Sequence, residues 1–211
     1  NNNNPDDVFS LYGYITREQY PSEPLLKGPT FNANPIDVNE QSFYRKDPSK
    51  YTEISSSKSY DYDQEMLFPR VWSERHAAYY QNYLGLNDGQ TPTQADNLSF
   101  FLEYQLNHMY WRYFMWNFVG RQNDTPNPMV SSFNGNWLSG IKAIDEVRLG
   151  GQQTLDPIFT KDPSRNTYFF LPLLIGIAGL IWHFRKSKRD ALVISLLFFF
   201  TGIAIVLYLN Q

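Results

Sequence analysis

The chain has no cysteine. No disulfide can brace it and no thiolate metal set can form. Histidine is scarce: His76, His108 and His183 are the three in 211 residues. None stands at i+3 or i+4 ligand spacing from an Asp or Glu, so no metal site and no cofactor are expected in this segment. Glycine-rich phosphate loops and nucleophile elbows are also missing. Asp145 and Glu146 are adjacent, so on a helix their carboxylates point apart and make a poor acid/base couple. Excess positive charge is lacking as well. The formal net charge is −3, and residues 1–166 carry 14 basic and 20 acidic side chains, a net −6. Phosphate neutralisation needs a basic face, which argues against nucleic acid as a partner.

What the chain does have is concentrated at its end. Thr167 to Phe184 and Ala191 to Leu209 are uncharged apolar runs, separated by Arg185-Lys186-Ser187-Lys188-Arg189-Asp190. A helix rising ~1.5 Å per residue nearly crosses a ~30 Å hydrocarbon core over either run. Lipid offers the backbone no hydrogen-bond partners, so helix is the expected state. The reading is a mainly α membrane protein: an extracytoplasmic mixed loop/helix domain over 1–166, then a two-helix transmembrane hairpin, 167–184 and 191–209. A basic loop at 185–190 faces the cytoplasm by the positive-inside rule. The expected setting is a bacterial inner membrane, with the lipid bilayer as a partner. A buried hairpin in a water-soluble fold is the alternative. Gly176, Ala178 and Gly179, and then Gly202 and Ala204, offer small surfaces for close helix approach. The start at Asn1 without Met and the stop at Gln211 suggest an internal fragment.

Three stretches separate before the runs. Residues 1–66 are rich in Asn, Asp, Pro, Ser and Tyr, with short strands expected near Phe9–Ile15 and Tyr51–Ile54. Residues 67–120 read as helical, with a long aromatic helix near 92–119. Thr91 is the expected cap, Pro92 the first helical residue, Gln94 the capping-box partner and Gly120 the stop. On a 3.6-residue period Leu98, Phe101, Leu102, Gln105, Met109, Arg112 and Trp116 share a face. The Trp, Tyr and Phe density fits a helix at the membrane–water boundary, and equally the core helix of a small domain. Residues 121–166 return to loops, with turn signals at Thr125-Pro126-Asn127-Pro128 and Asn134-Gly135-Asn136.

Several segments occur in a telling order: Thr16 to Tyr20 with Pro24 to Leu26, Leu67 to Arg70, Tyr104 to Leu106, Met109 to Asn117, Gly120 to Asp124, Gly135 to Trp137 with Ser139-Gly140, and Arg148 to Gly150. Together they resemble the domain-of-unknown-function family 2723, large bacterial membrane proteins related to protein O-mannosyltransferases. The resemblance covers most of the chain and is most specific from Tyr110 to Asp124. It implies a polytopic glycosyltransferase taking sugar from a polyprenyl-phosphate donor to a protein or envelope-glycan acceptor outside the cytoplasm. Further transmembrane helices of a parent protein would be its partners. The catalytic acid of that class lies in a first outward loop not in this chain, so no catalytic residue is assigned here. Whether the parent uses a divalent metal is left open.

The remaining candidates concern binding. Arg70, Arg112 and Arg121 carry the guanidinium fork that suits a lipid phosphate. The structural alternatives are pairing of Arg112 with Glu103, pairing of Arg121 with Asp124, and snorkelling. Asn123 and Asp124 have groups for sugar hydroxyls, but also read as a turn. Trp111, Trp116 and Trp137 suit stacking on a sugar ring or, equally, packing. The rival functional class is a non-enzymatic, membrane-anchored extracytoplasmic domain that binds a partner protein or glycan.

Overall fold

The computed structural model describes residues 7–15, 24–126, 131–152 and 154–209. They form two compact units, Asn1–Asn97 and Leu98–Gln211. About half of the residues are helical and 16% lie in strands, which makes the chain mixed rather than mainly α.

The first unit opens with α1, Val8–Ile15, where a strand is expected from sequence. Its main feature is an antiparallel ribbon of β2, Pro35–Lys46, and β3, Tyr51–Tyr62. The turn closes through Asp47 N–H to the Lys50 carbonyl at 2.9 Å and Thr52 Oγ1 to the Asp47 carboxylate at 2.7 Å. Tyr51 does start a strand, but one of 12 residues. Glu40 and Lys58 face each other in register and pair at 2.9 Å. At the base of the ribbon the Asp63 carboxylate accepts from Asn34 N and Nδ2, which holds its pKa below the usual value. A second pair, β1 (Lys27–Pro29) with β4 (Glu65–Leu67), sets Met66 in a small core with Phe31, Val71 and Tyr80. The Phe31 and Tyr80 rings lie 5.9 Å apart. Tyr80 comes from α2, Ala77–Leu84, which ends on left-handed Gly85.

The aromatic stretch starts as α3, Gln94–Ser99. The capping box is Thr93 with Asp96: Asp96 N–H donates to Thr93 Oγ1, and Thr93 N–H to Asp96 Oδ2 at 2.8 Å. The Thr91–Gln94 box expected from sequence is displaced because Gln94 is used elsewhere. Its amide accepts from Leu67 N–H and donates to the Leu67 carbonyl.

In the second unit Phe100–Trp111 winds as a π-helix and Arg112–Phe118 as α4. Arg112 N–H reaches the Asn107 carbonyl, five residues back. The wider turn shifts the buried positions off a 3.6-residue wheel. Phe100, Phe101, Gln105, His108 and Met115 are buried, whereas Leu98, Leu102 and Met109 are exposed. The chain then makes β5, Gly120–Arg121, paired with β6, Asn166–Thr167. Between them lie α5, Lys142–Leu149, and the short α6, Pro157–Thr160, capped by the Asp156 carboxylate. The loop region expected at 121–166 thus holds two helices.

The end of the chain corrects the hairpin reading. Helix α7 is Leu171–Lys186, 16 residues, with His183, Arg185 and Lys186 in its last turn. That is about 24 Å of helix, short of a ~30 Å core. Tertiary pairing removes the first residues of the apolar run. Thr167 is held in β6, Tyr168 N–H donates to the Val119 carbonyl and Phe169 N–H to Ser139. Phe169 and Phe170 then turn the chain with φ of 52° and 61°, a left-handed conformation that L-residues rarely adopt. Among the described residues one helical stretch is long and apolar enough to cross a membrane, Lys188–Tyr208. It comprises α8, Lys188–Thr201, and α9, Ile203–Leu209, hinged at Gly202. The architecture is a small mixed domain with one membrane-length helix, not a two-helix transmembrane hairpin.

Candidate functional site

Segments scattered over residues 112–167 converge on one cluster, framed by the β5–β6 pair. Gly120 is the pivot, with φ at 131°. A Cβ there would lie 2.6 Å from both the Asn166 and Leu138 carbonyls, so only glycine lets the three backbone strands approach. Leu138 N–H returns a hydrogen bond to the Gly120 carbonyl at 2.9 Å. Arg121 bridges to Trp137 across this junction.

Amides dominate the interior. Gln122 is fully buried; its Nε2 donates to Gln152 Oε1 at 2.7 Å, and its Oε1 accepts from Asn136 Nδ2 at 3.1 Å. Asn123, 2% exposed, accepts from Gly135 N–H at 2.8 Å and Thr125 N–H at 3.3 Å while donating to Asn134 Oδ1. Asp145 closes the far side. Its carboxylate takes Ser139 N–H at 2.9 Å, Ser139 Oγ at 3.0 Å and Gly140 N–H at 2.8 Å. This clamp fixes the Ser139-Gly140 turn against the start of α5. From sequence Asp145 stands out only as the neighbour of Glu146. Its distance of six residues from Ser139 gives no local signal of the bond.

The arginines are drawn into the frame. Arg112 donates Nε to the His108 carbonyl at 2.9 Å and Nη1 to Gly135, and its guanidinium lies 4.9 Å over the Trp116 ring. Burial pulls its pKa below the ordinary value. Arg121 donates Nε to the Ser164 carbonyl at 3.0 Å, and Asp124 N–H donates to Ser164 Oγ. Arg148 stacks 3.7 Å over Trp137 and donates to the Trp137 carbonyl. Burial lowers its pKa to about 10, with nearby Asp145 opposing the shift, so Arg148 remains a cation at neutral pH.

Arg112, Arg121, Asn123, Asp124, Trp116 and Trp137 are therefore gathered in this second-unit frame. One face of Trp137 is covered by Arg148, and its edge meets Phe170 at 6.1 Å. Trp111 projects elsewhere, 45% exposed and stacked on Phe114. Arg70 belongs to the first unit, 1% exposed, with its guanidinium 3.6 Å over the Phe68 ring. Asn97 anchors that segment: it accepts from Arg70 and Val71 N–H and donates to Phe68 and Leu67 carbonyls. Asn97 is 1% exposed. No group of three or more His, Asp or Glu positioned to hold a metal occurs among the described residues.

A family model described as a family of unknown function (DUF8416) matches residues 21–102. That span is most of the first unit and the beginning of the aromatic helix. No curated protein and no solved structure matches the chain. Nothing in these matches links it to the O-mannosyltransferases or to family 2723.

Proposed function

We propose that this chain is a non-catalytic, membrane-anchored part of an integral-membrane glycosyltransferase that uses a polyprenyl-phosphate-linked sugar. One observation carries the reading. Three of the segments that carry the resemblance, Tyr110 to Asp124, Gly135 to Trp137 with Ser139-Gly140, and Arg148 to Gly150, fold onto one another. Arg112 holds Gly135, Asn123 holds Gly135 N–H, and Arg148 holds Trp137. Motifs far apart in sequence that interlock in space behave as one structural module. The polar groups of that module are directed at its own backbone and at one another, so its role is to shape and support a groove rather than to break bonds. The setting proposed is a bacterial inner membrane. Lys188 and Arg189 mark the cytoplasmic end of the Lys188–Tyr208 helix. Tyr110 rests against Gly202 toward the other end of that helix, so the folded module packs on the span itself.

The test is sugar transfer in native membranes from a panel of polyprenyl-phosphate-linked hexoses. It compares the complete reading frame around this chain with residues 1–211 alone. The expected result is transfer by the former, weakened by Arg112→Ala, and none by the latter. Transfer by residues 1–211 alone overturns the non-catalytic assignment. A complete, membrane-inserted protein without transfer favours the second reading, an anchored domain that binds a partner protein or envelope glycan. That reading is supported by the inward orientation of Asn123 and Arg112.

A further inference from the structure

The π-helix and the membrane-length helix enclose a groove that the function above does not use. Leu102, Leu106, Tyr110 and Phe114 line one wall, and Phe198 and Ile203 the other. Its volume is about 380 Å³, within the ~300–1,000 Å³ of small-molecule sites. Two features fix where it opens. Gly202 lets the helices touch: a Cβ there would lie 2.8 Å from Tyr110 Oη and 3.1 Å from the Phe198 carbonyl. Gly202 is also six residues from Tyr208, the end of the apolar stretch, which is about 9 Å along a helix. Interfacial helices bury their apolar face to about 5–10 Å below the headgroups. The groove therefore meets the bilayer at acyl-chain depth.

We propose that this groove holds one acyl chain of a bilayer phospholipid, and that Phe100–Phe118 is an interfacial element half-immersed beside the span. The chemistry of the walls supports this occupant. Leu102 and Phe198 are 48% and 51% exposed, and Phe198 belongs to α8, where Leu197, Phe199 and Phe200 are exposed as well. A surface continuous with a lipid-facing helix has the same solvent. Tyr110 and Asn107, the polar members of the lining, suit the headgroup side. Burial already pushes the Tyr110 phenol pKa up. The inference rests on Lys188–Tyr208 spanning a membrane, not on sugar transfer.

The chain lacks cysteine, so single-cysteine variants label uniquely. Residues 1–211 are placed in phosphatidylcholine nanodiscs, with bimane on Leu106→Cys (groove), Leu197→Cys (span) or Glu103→Cys (exposed face of the π-helix). Bromine on the phospholipid acyl chains is the quencher. Quenching is expected to remove most bimane fluorescence at positions 106 and 197 and little at 103. Filling the groove with Gly202→Leu, or with Leu102→Phe if that variant folds poorly, restores fluorescence at 106 and leaves 197 quenched. An unquenched label at 106 beside a quenched one at 197 overturns the groove proposal alone. Lost quenching at both overturns the membrane reading of the helix. Disulfide dimers through Leu106→Cys assign the groove to a second copy. Recovery at 106 on adding a few polyprenyl phosphates per disc assigns it to that lipid, and either result overturns the acyl-chain assignment.

Discussion

The frame at 119–167 and the helices at 171–209 are built on opposite rules. In the frame the interior is polar: Gln122, Asn123, Asn136, Ser139, Asp145 and Gln152 are buried. In the helices the surface is apolar, with Ile175, Leu192, Leu197 and Phe200 at 52–70% exposure. The frame has few apolar side chains to bury, and it excludes water by satisfying each amide with another amide or a backbone group. The helices satisfy their backbone internally and leave the rest to the solvent around them. Even their hydroxyls are closed locally: Ser195 Oγ donates to the Ala191 carbonyl and Thr201 Oγ1 to Leu197, both at 2.8 Å. Such a surface suits lipid and not water. The contrast teaches that burial alone does not reveal function here. The buried polar residues that look like a binding site act as the core.

Substitutions in the frame should unfold it, and substitutions in the helix should move it out of the membrane. The largest effect is expected at Gly120→Val. Its side chain would collide with the Asn166 and Leu138 carbonyls, a backbone clash that no rotamer relieves, so loss of ~4 kcal/mol or more is expected in denaturant titration of the detergent-solubilised chain. Asp145→Ala comes next. It strands two backbone donors and one hydroxyl and should remove about 3 kcal/mol in the same titration. A near-unchanged midpoint would mean that the Ser139-Gly140 turn is not part of the cooperative core.

Leu197→Arg tests the other side. A charge near the middle of a membrane helix costs about 2.5–3.5 kcal/mol of insertion, read as a fall in the membrane-integrated fraction after carbonate extraction. Thermal stability of the 119–167 frame should stay unchanged, and a fall in both would break the distinction between the regions. Smaller still is Asn123→Ala, which frees Gly135 N–H and should remove about 1–2 kcal/mol. The smallest effect is a pH dependence. Hydrogen bonds from Ser164 Oγ and N–H hold the Asp162 pKa below 3.8. A depressed carboxylate contributes stability above its unfolded value and loses it as pH falls through the folded value. Melting temperature measured below pH 3.8 should therefore fall less steeply in Asp162→Asn than in the parent chain.

Legibility differed between these regions for a physical reason. The Ala191–Leu209 run, the aromatic stretch ending before Gly120 and the strand starting at Tyr51 follow from local composition and period. The gathering of Arg112, Asn123 and Trp137 has no local signal in the sequence, because the partners lie 11 to 23 residues away. A helix stands at Val8–Ile15 where composition predicts a strand, since its Tyr, Phe and Ile content suits both periods over so short a segment. The 3.6-residue face of the aromatic helix failed because the chain winds with i→i+5 bonds, which no side-chain pattern announces.

The sequence by itself determined the absence of disulfides, the acidic balance, and one apolar stretch long enough for a membrane, because these depend on composition and uninterrupted length alone. Tertiary structure decided how long the preceding helix is. Pairing of Thr167 with Gly120, and the hydrogen bonds from Tyr168 and Phe169 to Val119 and Ser139, take the start of the first apolar run into the frame. Backbone groups already engaged in a strand cannot also join a helix, so that run yields α7 rather than a second span.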